Sequence, residues 1–272
     1  MNSALRLLRP VNAVMAVLGT FISSLVTVGY EMVDHIVLIS MASLVVFLVL
    51  TGGNVMNDVL DAENDKINHP ERPIPSGKIT KNQGTYVYTT SYILSIIIAF
   101  VFLNIYAVIV VIFADLLLIV YETRGKYKGL SGNIIISILI GAIFLFGGIV
   151  FLKPERTLLL MALASLSNLS RELIKDVQDM EGDVDRITFP KKYGAKTALN
   201  LSSALIIVTI IVSFVPYLAG LFSYQYLIAV IICDLCFVST MITQYRSAEK
   251  GQNLSKLSMI LGLVSFTVGG IF

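Results

Sequence analysis

The sequence predicts an all-α, polytopic membrane protein with nine transmembrane helices, and three observations carry that prediction. Hydrophobic residues make up 56% of the 272-residue chain and charged residues only 14%, with a mean hydropathy of +0.83. Soluble domains carry about 25% charged residues, so this chain lacks the charge needed to cover a wet surface. Its apolar residues also fall in runs of about 20, the length that crosses a hydrocarbon core. Finally, its basic residues collect in alternate loops, as they do in chains threaded back and forth through a bilayer.

Taken in order, the spans fall at 11–30, 33–56, 84–103, 105–121, 133–152, 157–176, 197–219, 223–245 and 254–272. The first resembles a signal peptide, with Arg6 and Arg9 ahead of an apolar run. However, Ala13 to Tyr30 has no clear small-residue cleavage site and many spans follow, so it reads as the first helix. The third and fourth spans are separated only by Asn104, and the ninth is flecked with polar residues. Of the 20 Lys and Arg residues, all but Lys153 and Arg156 lie at the N-terminus or in the loops and helix ends after spans two, four, six and eight. That set faces the cytoplasm by the positive-inside rule, and an odd span count puts the C-terminus outside. The expected organisation is one transmembrane domain over residues 1–272, with two four-helix units related by an internal offset.

Two features inside the spans call for a structural reading. Cys233 and Cys236 form a C-x-x-C in the eighth span, but no other thiol exists and the two His residues lie in separate loops, so a zinc site lacks ligands. Small residues packed between helices are the better reading. Asp115 and Asp234 lie inside spans four and eight, where a carboxylate is costly and faces either a cavity or a partner on a neighbouring helix.

The chemistry concentrates elsewhere. The stretch NVMNDVLDAENDKINHPERPIPSGK (Asn54 to Lys78) directly follows the second apolar run, and it places Asp58, Asp61 and Asp65 at i, i+3 and i+7. On a continuous helix these share one face, where three carboxylates repel each other unless cations lie between them. The spacing recurs as Asp176, Asp179 and Asp183 in KDVQDMEGD, again after an apolar run. Each aspartate lies 118 residues after its counterpart: 58 to 176, 61 to 179, 65 to 183. One cluster fits a solvated surface face; two with identical spacing point to a device. Hard divalent cations with oxygen ligands are the natural counter-charge, and Mg²⁺ held this way usually bridges to a phosphate. Two such faces looking at each other would hold two or three Mg²⁺ and a diphosphate.

Asn54 and Asn57 would add side-chain oxygens or orient the carboxylates. Around the clusters stand Arg72, in a stiff HPERPIPSG turn, Lys126 in the loop after span four, and Lys175, adjacent to Asp176. Such cations suit a leaving diphosphate or an acceptor phosphate, although positive-inside bias also places basic residues there. No G-x-x-x-x-G-K-[ST] is present, which removes the case for a P-loop ATPase. What remains is metal-assisted departure of a diphosphate from carbon. An allylic diphosphate suits this, since its cation is delocalised and a dry apolar chamber keeps water away. Tyr121, at a helix end, is placed to shield that cation with its ring, or to sit in the interfacial aromatic belt.

These residues resemble the UbiA-type intramembrane prenyltransferases, whose paired motifs follow N-D-x-x-D-x-x-x-D and D-x-x-D-x-x-x-D. The likeness extends to RPVNAVMA (Arg9 to Ala16), GGNVMND (Gly52 to Asp58), RPIPSGK (Arg72 to Lys78), SGN (Ser131 to Asn133) and RELIKDVQDMEGD (Arg171 to Asp183), so it covers almost the whole chain. It implies a nine-helix UbiA-type bundle, Mg²⁺-dependent prenyl transfer and a chamber opening sideways into the bilayer. From their places in and beside the triplets, Asp61, Asp179 and Lys175 are the expected catalytic residues. Within the superfamily the sequence is most similar to the archaeal digeranylgeranylglyceryl phosphate synthases. These attach a geranylgeranyl chain from its diphosphate to geranylgeranylglyceryl phosphate. One departure is the loop after the second motif, where a short VDRI precedes TFP and bears on substrate contacts such as Arg186. The expected partners are prenyl diphosphate, a lipid phosphate and the bilayer, with no nucleic acid. The motifs alone leave open an aromatic acceptor of quinone synthesis and, from another class, a transporter built of repeats.

Overall fold

The computed structural model describes residues 7–68, 70–127, 129–180 and 187–271. Its helices are α1 (Pro10–Val28), α2 (Ile36–Leu60), α3 (Ala62–Asn68), α4 (Lys81–Phe102), α5 (Ile105–Thr123), α6 (Leu130–Val150), α7 (Leu158–Gln178), α8 (Phe189–Tyr193), α9 (Ala195–Ser213), α10 (Val215–Leu218), α11 (Tyr224–Thr243) and α12 (Ala248–Ile271). Short 3₁₀ turns occur at Gly29–Val33, Gly125–Tyr127 and Pro154–Arg156. Nine of the described helices are long, one for each expected span, and the third and fourth do part at Asn104. Eight are long and apolar enough to cross a membrane. The remaining long helix is α7, so hydropathy alone supports one span fewer than expected. Its second half carries Ser167, Asn168, Ser170, Arg171, Glu172 and Lys175.

Local signals fix several boundaries. Thr80 caps α4 with a reciprocal box, accepting from the Gln83 backbone N–H while the Gln83 side chain accepts from its own. The RPIPSG turn closes through Ser76 N–H to Arg72 O (3.0 Å) and Ile79 N–H to Pro73 O (3.1 Å). Ile74 anchors that turn in a cluster with Leu7, Val55 and Ala62.

The chain forms two compact units: residues 1–21 with 33–123, and residues 22–32 with 124–272. In the first unit α2 is the hub, packing on α4 and α5. Gly52 allows this approach, because a Cβ there would run into the ring of buried Tyr92 on α4. In the second unit α7 is the hub, packing on α6, α9 and α12. That position suits its polarity, since Ser167, Asn168, Ser170 and Glu172 are all buried. Asn168 donates to Ser137 Oγ (3.2 Å), and Ser170 pairs with Ser202 (3.0 Å). Such interhelical bonds replace the hydrophobic drive that is missing inside a bilayer. The apolar core of this unit centres on Phe144, Leu160, Tyr226 and Phe266, with Phe144 and Phe266 edge-to-face at 5.9 Å.

Both intramembrane aspartates find helix partners. Ser95 donates to Asp115 Oδ2 (3.3 Å) and Ser213 to Asp234 Oδ2 (2.8 Å). Ser95 and Ser213 share the offset of the aspartate motifs, and Asp115 and Asp234 miss it by one residue. Cys233 and Cys236 are free thiols that donate to the carbonyls of Ser258 and Leu254, as expected of packing residues.

Gly52→Ala should force Tyr92 off α2 and destabilise the protein by about 1–3 kcal/mol, the usual cost of overpacking. The measurement is thermal melting in detergent, where Tm should fall by several degrees. An unchanged Tm would show that the α2–α4 contact is not tight at this point.

Candidate functional site

Each aspartate motif begins on the hub helix of its unit and turns at its middle residue. Asp61 is the C-cap of α2, at φ −89° and ψ 6°. Asp179 is the C-cap of α7, at φ −88° and ψ −1°. The Asp61 N–H donates to Asn57 O and the Asp179 N–H to Lys175 O, both at 2.9 Å. The expected continuous helix therefore breaks at the same motif position twice, and Asp65 lies on the separate α3. A helix C-terminus carries partial negative charge, so a carboxylate there is in an unfavourable place unless a cation is near.

In the first unit two arginines pair with the motif's other two aspartates, and Asp61 itself accepts from the Asn57 amide. Asp58, Asp61 and Asp65 are all buried. Arg9 donates to Asp58 Oδ1 (2.5 Å) and Asn57 Oδ1 (3.1 Å) through the same nitrogen. Arg72 Nη1 donates to Asp65 Oδ2 (2.6 Å) and reaches Asp58 Oδ1 at 3.4 Å. Arg9 holds a left-handed φ of 44°, uncommon for a non-glycine residue, immediately before Pro10 opens α1. Asn57 Nδ2 donates to Asp61 Oδ2 (3.0 Å) and to Glu122 Oε2 (2.9 Å) at the end of α5. Asn54, one turn earlier on α2, is buried with no hydrogen-bond partner for its Nδ2 among the described residues. Tyr121 is half-buried beside Glu122. Glu63 stands apart: exposed, it binds Lys66 and Lys81 at 2.8 Å each. Those two hydrogen bonds hold its carboxyl down at about 2. Its contribution to stability is thus complete at neutral pH and is lost only as pH falls from the usual carboxylate range towards that value.

In the second unit Asp176 is half-buried and accepts from Asn133 Nδ2 at 2.7 Å, which gives the SGN stretch a contact with the motif. Asp179 is exposed. Lys175 Nζ lies 3.5 Å from Glu172 Oε2, and Glu172 also pairs with Arg171. Lys126 is buried in the 3₁₀ turn after α5. Asp183 and Arg186 lie outside the described residues. Among the described residues, no group of three His, Cys, Asp or Glu side chains is gathered closely enough to hold a metal alone. The donor set is nevertheless all oxygen, hard and anionic, and cationic nitrogens already converge on its carboxylates. That chemistry fits a hard divalent cation. Arg9 and Glu122 were not singled out from the sequence. Arg9 was visible within RPVNAVMA, and Glu122 as a lone acid closing an otherwise apolar helix.

Comparison with known proteins sharpens this picture. A model of the UbiA prenyltransferase family matches residues 15–264. The digeranylgeranylglyceryl phosphate synthase of Methanosphaera stadtmanae is 37% identical over 280 residues, covering 100% of both chains. A solved digeranylgeranylglyceryl phosphate synthase structure superposes with a TM-score of 0.87 at 36% identity, covering 99% of this chain and 98% of that one. A UbiA homologue from Archaeoglobus fulgidus, solved with DMAPP and Mg²⁺ bound, superposes with a TM-score of 0.65 at 16% identity, covering 98% and 100%. This last likeness speaks for the fold alone.

Arg72→Met should leave buried Asp65 without its cation and cost about 1–3 kcal/mol, the penalty of a stranded buried polar group. Melting in metal-free buffer checks this, and added Mg²⁺ should recover part of the lost Tm. An unaltered Tm would show that solvent already compensates Asp65.

Proposed function

The chain belongs to the UbiA prenyltransferase family, and we propose that it transfers a geranylgeranyl group from geranylgeranyl diphosphate to geranylgeranylglyceryl phosphate. The full-length likeness to synthases of that name supports the substrate pair. The repeated aspartate C-caps support the chemistry. The whole chain, residues 1–272, acts as one transmembrane prenyltransferase domain with its active site at the cytoplasmic face and its C-terminus outside. Family membership also removes the reason for reading the repeats as a transporter.

In this reading Asp58, Asp61, Asp65, Asp176, Asp179 and Asp183 hold Mg²⁺. When bound, Mg²⁺ offsets the charge that develops on the departing diphosphate. Asn57 orients the first carboxylates, and the unpartnered Asn54 amide supplies a donor on the same helix face. Arg72, Lys126 and Lys175 bind the diphosphate or the acceptor phosphate. Arg72 spans Asp58 and Asp65 and stabilises the cluster until substrate arrives. Tyr121 covers the allylic cation with its ring, and the apolar helices exclude water that would trap it.

Incubating purified protein with Mg²⁺ and labelled geranylgeranyl diphosphate, with geranylgeranylglyceryl phosphate and 4-hydroxybenzoate offered in parallel, tests the assignment. Label should pass to the lipid phosphate only, and EDTA should abolish it. Prenylation of hydroxybenzoate alone would replace the lipid acceptor with an aromatic one. Asp61→Ala and Asp179→Ala should each lower turnover by about 10² or more, as loss of a preorganised charge-stabilising group does. Lys126→Met and Lys175→Met should raise KM if they bind ground-state phosphate, and should lower kcat if they act as charge develops. Unchanged kinetics in both would leave them as topogenic charges.

A further inference from the structure

Glu122 is buried at the C-terminal turn of α5. Both facts work against a carboxylate there, through desolvation and through the negative end of the helix. Its hydrogen bond from α2 comes from a neutral amide, Asn57, whose other amide proton goes to Asp61. Both protons of that nitrogen are therefore committed to carboxylates, and the amide oxygen is committed to Arg9. A flipped amide would point its oxygen at two carboxylates, so the orientation is fixed by chemistry as well as packing. The consequence lies on the far edge of the amide. Asn57 Oδ1 and Asp58 Oδ1 converge on one guanidinium nitrogen of Arg9, a point where two oxygens already receive positive charge.

We propose that Glu122 is a positioning residue for the first aspartate motif. It anchors the Asn57 side chain from behind, so that Asn57 Oδ1 stays turned towards Asp58 as a ready oxygen donor for a divalent cation. This rests on the metal-dependent reading above. Residues that orient ligands without touching the metal are worth about 10–100-fold in metal affinity. Glu122 lies 65 residues from Asn57, belongs to neither motif, and acts through its hydrogen bond.

The test measures Mn²⁺ affinity by electron paramagnetic resonance on the purified full-length protein in nanodiscs, with no prenyl substrate present. Glu122→Ala should weaken Mn²⁺ binding about tenfold, the lower end of the range for an outer-shell partner. Glu122→Gln keeps an acceptor oxygen for Asn57 Nδ2 and should weaken it much less. Adding Glu122→Ala to Asn57→Ala should cost nothing further, as expected of two residues acting in series. If Glu122→Ala does not fold, Glu122→Leu fills the space and carries the same expectation. Wild-type affinity in Glu122→Ala or Glu122→Leu, an equal loss in Glu122→Gln, or additive losses in the double variant would each overturn the assignment while leaving the metal site standing. No Mn²⁺ binding by the wild type would overturn both.

Discussion

Carboxylates held at the C-terminal ends of buried helices are the constraint on which this protein is built. Asp61 and Asp179 occupy the position where the helix field is least welcoming to them, and they do so with nearly the same backbone angles. Nothing in helix formation requires an acid there, and a neutral residue at these backbone angles would end α2 and α7 without placing negative charge at the negative end of the helix. In the first unit the neighbouring motif aspartates are the ones paired, Asp58 with Arg9 and Arg72 and Asp65 with Arg72, while Asp61 accepts from the Asn57 amide. The RPIPSG turn is closed by its own backbone bonds and staked down by Ile74, which fixes where Arg72 points. Arg9 takes a left-handed backbone at the mouth of α1. Cation-hungry oxygens and movable cationic side chains in one place are what a site for a metal-complexed diphosphate requires.

The same economy runs through the two hub helices. Each hub is the most enclosed helix of its unit and bears an aspartate motif at its end. Because α7 packs against three other helices, its polar side chains meet partners there, Asn168 on Ser137 and Ser170 on Ser202. Ser95–Asp115 and Ser213–Asp234 extend the repeat into the apolar region as helix-to-helix hydrogen bonds. Ser95 and Ser213 keep the motif offset, and Asp115 and Asp234 fall one residue from it.

Much of this was legible in the sequence. Apolar run length located the eight described helices that are apolar enough to cross a membrane, because a bilayer imposes a nearly fixed length on each, and it placed a ninth span on α7, whose hydropathy falls short. The doubled aspartate spacing located the candidate site, because two identical acidic patterns at apolar ends have no ordinary structural purpose. The helix break at Asp61 was not legible: periodicity says which residues would share a face, but not where the helix stops. The contact of Lys175 with Glu172 was not read from the sequence, although residues three apart meet on a helix. The contacts of Arg9 and Glu122 were hidden for a different reason. Each reaches the cluster from a distant part of the chain, and no local pattern records a contact 48 or 65 residues away.

In the function proposed, the acidic ends of α2 and α7 bind a prenyl diphosphate through divalent cations. Titrating the protein in nanodiscs with an unreactive thiolo analogue of geranylgeranyl diphosphate, with Mg²⁺ and then with EDTA, tests it most directly. The account predicts tight binding that requires Mg²⁺ and is lost in both Asp61→Ala and Asp179→Ala. Binding of equal strength in EDTA, or undiminished in those two variants, would contradict it.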